Sequence, residues 1–125
     1  MLQFAFVDDI DLYDATGKYC VFLDAIDSEE LLLQEYNRQL QFPFFGFNWD
    51  ALNDSLRYLD NIPQYDIVLL HKTLPQLADR DLWIYLDILN DTITFWGDFP
   101  DHNVQAIFCT ADRDRIIAIF SAFNK

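Results

Sequence analysis

Apolar positions recur along this chain with two periods, and each switch between them marks an element. Residues 2–7 (Leu-Gln-Phe-Ala-Phe-Val) read as a strand. Residues 8–14 set Asp8, Asp9, Asp11 and Asp14 around Ile10 and Leu12, an alternation that permits a half-buried strand, with a turn at Thr16-Gly17. Residues 19–25 are almost unbroken in apolar character, which predicts a central strand covered on both faces. A helix comes next. Asp27 and Glu30 have capping-box spacing, Ser28 is an alternative cap, and Leu32, Tyr36 and Leu40 recur four apart. It should end near Phe42, because Pro43 disfavours helical geometry at the residue before it.

A second helix opens at Asn48, a good N-cap, and is expected to run to about Leu59 with Leu52, Leu56 and Leu59 as its inner stripe. Residues 66–71 predict a buried strand and 79–96 a long helix through Leu82, Leu86, Leu89, Ile93 and Trp96, stopped at Gly97-Asp98-Phe99-Pro100. Residues 103–109 predict another strand. From Asp112 the spacing of Ile116, Ile119, Phe120 and Phe123 is helical, with a strand over 116–120 as the alternative. Strands alternating with helices give an α/β domain: a small, mainly parallel three-stranded sheet packed with helices, an N-terminal strand or hairpin, and a C-terminal extension. At 125 residues without repeat or linker, the chain (1–125) is expected to be a single domain.

Composition sharpens this picture in two ways. Aromatic residues are abundant (12 Phe, 6 Tyr, 3 Trp), which leaves some to spare for an interface; Trp49, Trp83 and Trp96 fall at core spacing. The formal charge is −13, most of it from Asp and densest in the first half of the chain. Such a charge serves solubility, or it points to a basic partner, since the field repels nucleic acid and anionic membrane and speeds encounter with a cationic surface. Cys20 and Cys109 each sit in an apolar run and read as buried free thiols. No Cys/His pattern implies a metal, and the Asp cluster at 8–14 lacks the glycine and closing Glu of a calcium loop. No cofactor is expected. The N-terminus has no signal-peptide pattern and no run reaches the ~20 apolar residues of a membrane span, so a cytoplasmic protein is expected. His71 and His102, at a strand end and in a loop, read as structural or solvated.

The informative segment is Pro43-Phe44-Phe45-Gly46-Phe47-Asn48-Trp49-Asp50-Ala51-Leu52-Asn53-Asp54. Asn48 caps the helix and Asp50 complements its dipole, which accounts for both without any partner. Asp54 repeats the charge four residues on, where a like charge costs a few tenths of a kcal/mol; Arg57, three further, is placed to offset it. Asp50, Asn53 and Asp54 beside spare aromatics look like a face that binds cations.

That segment resembles the signature of barstar-like proteins, and the order of elements agrees over about residues 19–110. The resemblance implies an intracellular inhibitor of a basic ribonuclease, or an immunity protein against a related secreted nuclease toxin. Such a protein plugs the nuclease active site with carboxylates that stand where substrate phosphates would. By motif position Asp54 is the main phosphate mimic and Asp50 its neighbour. Phe44 and Gly46 supply aromatic and backbone contacts, and an acid of the long helix contributes, with Asp91 the candidate and Asp87 the alternative. Phe44 stands where the family often has Tyr, Phe47 where a polar residue is common, and Asn53 where an aromatic is often exposed, so the contact surface has diverged more than the scaffold. Residues 1–18 and 111–125 extend beyond the pattern. Two other classes remain open: an acidic adaptor for a non-nuclease partner, and a carboxylate-dependent enzyme, against which stands the lack of any nucleophile motif or Gly-rich loop. Oligomeric state is left open.

Overall fold

A computed structural model describes residues 2–123. Four parallel strands, β1 (Ala5–Val7), β2 (Tyr19–Leu23), β3 (Asp66–His71) and β4 (Asn103–Cys109), form one sheet in the order β1-β4-β3-β2. Four helices, α1 (Glu29–Leu40), α2 (Trp49–Ser55), α3 (Asp79–Trp96) and α4 (Arg113–Phe123), pack on one face of it. The mainly parallel α/β architecture is the expected one. The strand pleat divides the sheet residues. Val21, Leu23, Ile67, Leu69, Val104, Ala106 and Phe108 join Leu32, Leu52, Leu82 and Ile116 in the main core. Val68, Leu70 and Ile107 point the other way and form a smaller buried cluster with Ile10, against which Val7, Tyr13, Cys20 and Cys109 pack partly buried.

Several expectations need correcting. The first strand spans 5–7 rather than 2–7, because the Gln3 N–H donates to Asn90 Oδ1 of α3 at 3.0 Å and draws the chain out of the ladder. It pairs parallel to β4 rather than forming a hairpin with residues 8–18. Residues 8–14 form no strand; Ile10–Leu12 is a 3-10 turn capped by Asp9. Two residues apart on such a turn face different ways, so Ile10 is buried while Leu12 is 81% exposed. This segment, 8–18, straps the sheet face that no helix covers. Thin cover there leaves Cys20 and Cys109 half-buried rather than buried, and both are free. β2 is an edge strand rather than a central one, and Phe22 on its outward side is 42% exposed. Ser28, not Asp27, caps α1, its Oγ accepting from Leu31 N at 3.1 Å. The tail from Arg113 is helical.

The free edge of β2 is closed by a side chain. The amide of Gln39, near the end of α1, accepts from Phe22 N and donates to Phe22 O, both at 2.8 Å. It thus does what a neighbouring strand would do. The Tyr19 hydroxyl donates to the Gln39 backbone carbonyl, and Glu35 accepts a second proton from the side-chain amide. Replacing Gln39 by Ala should bare both Phe22 backbone groups and produce concentration-dependent self-association in sedimentation velocity; a monomer at every concentration would show that the amide plugs nothing.

A polar chain crosses the core. His71, at the end of β3, is fully buried and stacked on Phe108 at 4.0 Å between centroids. Its Nδ1 lies 3.1 Å from Ile107 O and its Nε2 2.6 Å from the Tyr85 hydroxyl, which lies 2.6 Å from that of Tyr36. One proton order satisfies it: Tyr36 donates to Tyr85, Tyr85 to Nε2, and Nδ1 to the carbonyl. The imidazole must then be neutral. Burial pushes its pKa down to about 4, against the opposing pull of carbonyls at Ile107 and Leu69. The other histidine, His102, is also buried, with Nδ1 3.1 Å from Gln64 O, so both are structural rather than solvated.

Candidate functional site

The loop between α1 and α2 sorts its four phenylalanines by direction. Gln41 closes α1 in the left-handed region, φ 53°, with its N–H on Asn37 O; this ends the helix two residues before Phe42. Phe42 then turns into the core. Phe42, Phe45 and Phe47 form a ring-to-ring series at 5.1 and 4.9 Å. Phe44 takes no part in it and stands 95% exposed. Phe47, with φ 53°, is held in a conformation that costs a bulky side chain roughly 1–2 kcal/mol. Gly46 does not carry that strain, and a Cβ there would meet only ordinary contacts.

Asn48 then starts α2, its Oδ1 accepting from Ala51 N at 2.7 Å. Leu52 and Leu56 are fully buried, which turns Asp50 and Asp54 outward. The helix ends at Ser55, four residues short of the expected Leu59. Leu56 and Leu59 keep their apolar contacts from irregular backbone, so the leucine spacing outlasts the helix. Two contacts seat α2 on α3: Trp96 Nε1 donates to Leu56 O at 2.8 Å, and the Trp49 ring lies 6.2 Å from Tyr85. All three tryptophans therefore pack, Trp83 doing so against Phe123.

The expected pairing of Arg57 with Asp54 does not form. Arg57 Nη1 donates instead to the Asn53 backbone carbonyl and, at 2.8 Å, to Asn53 Oδ1, while the guanidinium lies 5.3 Å from the Phe95 ring centre. Asn53 is thereby engaged within the chain and half-buried. The ion pairs among the described residues are Arg38–Glu35, Lys72–Asp11 and Arg115–Asp79, so Asp50 and Asp54 have no cationic partner there.

Asp54 borders two clefts. One, of about 240 Å³, is walled by Phe42, Pro43, Phe44, Ser55 and Tyr58. The other, of about 360 Å³, is walled by Arg57, Tyr58 and Phe95. Tyr58, 70% exposed, separates them and was not among the expected contact residues. Had α2 continued to Leu59, Tyr58 would have been one more helix-surface residue; the early helix end makes it a wall. Asp91 is exposed on α3 one turn before Phe95, on the stripe that leads to the second cleft. Asp87 lies a turn further back, half-buried, its pKa raised by burial and by the charge of Asp91. The fold thus brings Phe44, Asp54, Tyr58, Arg57 and Phe95 together, with Asp50 on the same helix and Asp91 on the approach. Among the described residues, no group of three or more His, Cys, Asp or Glu side chains could hold a metal ion.

No curated protein and no solved structure matches the chain. A family model does: the one described as Barstar (barnase inhibitor) matches residues 19–120, including the loop and helix that build this face, and it runs through most of α4, so residues 111–120 belong to the family pattern rather than extending beyond it as expected. The chain belongs to the barstar family.

Proposed function

We propose that this protein inhibits a basic ribonuclease, or gives immunity against a related nuclease toxin, by seating α2 and its preceding loop in the nuclease active site. The observation that carries the reading is Asp54: an exposed carboxylate that forms no ion pair among the described residues, set between two clefts and flanked by the most exposed phenylalanine. A carboxylate presented this way offers itself to the arginine, lysine and histidine side chains that a nuclease keeps for phosphate. Asp50 and Asp91 extend the negative face, and Phe44 with Phe47 and the Gly46 backbone supplies contact area around it. The family description names an inhibitor, and the reading assigns no catalysis to this chain. It places the protein in the cytoplasm; no helix among the described residues is long and apolar enough to cross a membrane.

The test is inhibition. Barnase, the nuclease named in the family description, and basic nucleases captured from the native cell's secreted fraction would be titrated with the protein while RNA cleavage is followed. Stoichiometric loss of cleavage is expected with at least one of them. Capture of a non-nuclease by wild type and Asp54→Ala alike would move the function to an adaptor using another surface. With a net charge of −13, encounter should be steered. The association rate toward such a nuclease should fall at least tenfold between 20 and 500 mM salt in stopped-flow mixing, and a flat profile would remove the charge from the account.

A further inference from the structure

Arg57 is out of place on a face meant for cations. It lines the same cleft as Asp54, and no carboxylate of the chain neutralises it among the described residues. Against a uniformly basic partner, a fixed positive charge beside the key carboxylate would oppose binding. Its bond to the Asn53 carbonyl at the end of α2 is a helix-capping contact, but that contact uses one nitrogen only. Nη1 makes both bonds to Asn53, and Nε and Nη2 have no acceptor among the described residues. Those two donors form the edge of a guanidinium that grips a carboxylate with two parallel bonds. The chain itself provides an example: Arg38 donates from Nε to Glu35 Oε2 at 3.0 Å and from Nη2 to Oε1 at 2.7 Å. At Arg57 the Phe95 ring and Asn53 hold the group in place, so little side-chain freedom is left to lose when that edge is filled.

From this geometry we infer that Arg57 receives a carboxylate of the partner, which makes it a specificity determinant beside Asp54. The partner surface is then a basic one with a single acidic side chain set among its cations. The inference rests on the inhibitory reading for its setting, and it selects one class of basic partner from the rest.

The sign of a charge effect tests it. Two peptides, Ac-Arg-Gly-Glu-Gly-Arg-amide and its Gln counterpart, would be titrated into wild type, Arg57→Gln and Asp54→Asn, following the Arg57 Nε–Hε resonance and the α2 amides by NMR. Simple attraction to a protein of charge −13 favours the Gln peptide, which is the more positive. A carboxylate receptor at Arg57 favours the Glu peptide on wild type by roughly threefold, the scale of an exposed ion pair. It should also move the Arg57 Nε–Hε signal, and Arg57→Gln should reverse the preference. Equal binding, or tighter binding of the Gln peptide, on folded wild type overturns the inference. Asp54→Asn should weaken both peptides alike. If it does not, the acidic site of the inhibitory reading fails separately, whatever Arg57 does.

Discussion

Between pH 7 and pH 4 the native state should lose about 3 kcal/mol of stability through one side chain, His71. In the unfolded chain its imidazole takes up a proton near pH 6.5, whereas in the fold it resists until about pH 4. Across that window the unfolded state binds more protons than the native state, so stability is fully present above the unfolded pKa and drains away as pH falls. Below about pH 4 the contribution of this group levels off. The cause is the polar chain in the core. A proton on Nε2 would put a charge where no carboxylate among the described residues pairs with it, and would turn an acceptor into a donor facing the Tyr85 oxygen. Tyr85 would then have to donate to Tyr36, leaving the Tyr36 O–H without an acceptor among the described residues. Urea unfolding at steps from pH 7.5 to 4 should give a slope approaching one proton. The His71 ring proton, followed by NMR in the native state, should not titrate above about pH 5. A native-state midpoint near 6.5 would refute the assignment.

Replacing Asp54 by Ala should separate binding from folding more cleanly than any other change in the chain. The side chain is exposed and forms no hydrogen bond or ion pair with the described residues, so the unfolding midpoint should move by no more than ~0.5 kcal/mol. Affinity for a nuclease target should fall by roughly 2–5 kcal/mol, mainly through faster dissociation, since the partner's cations would be left buried without their counter-charge. Surface-immobilised nuclease with wild type and variant flowed over it gives both rates. Matching dissociation rates would remove Asp54 from the centre of the site. Loss of stability with unchanged affinity would make it a scaffold residue instead.

How much could be read from the chain alone depends on how local the causes are. β3, α3 and β4 have the expected bounds because each is a clear apolar run or helical periodicity between clear stops. β2 was misplaced as a central strand because an apolar run does not say what covers it: Cys20 and Phe22 face a side that only the strap partly shields. Ile10 and Leu12 fit a strand equally well as letters, and the Asp9 cap decided otherwise. The candidate face divides the same way. Asn48, Asp50 and Asp54 were legible from spacing on one short helix. Tyr58 and the orientation of Arg57 were not. The first depends on where α2 gives out, and the second on Phe95, which arrives from a helix far along the chain.

The pairing of β1 with β4 also has a consequence in time. Ala5 lies opposite Ile107 and Val7 opposite Cys109, so β1 can take its place only once β4, about a hundred residues further along, has been synthesised. At 5–20 residues per second, that is a delay of roughly 5–20 s. Throughout it, the apolar stretch Leu2-Phe4-Phe6-Val7 travels unpaired, as a nascent strand with β-forming character. The aspartates immediately after it, Asp8, Asp9 and Asp11, set charge beside that segment, the flanking pattern that opposes strand-to-strand association.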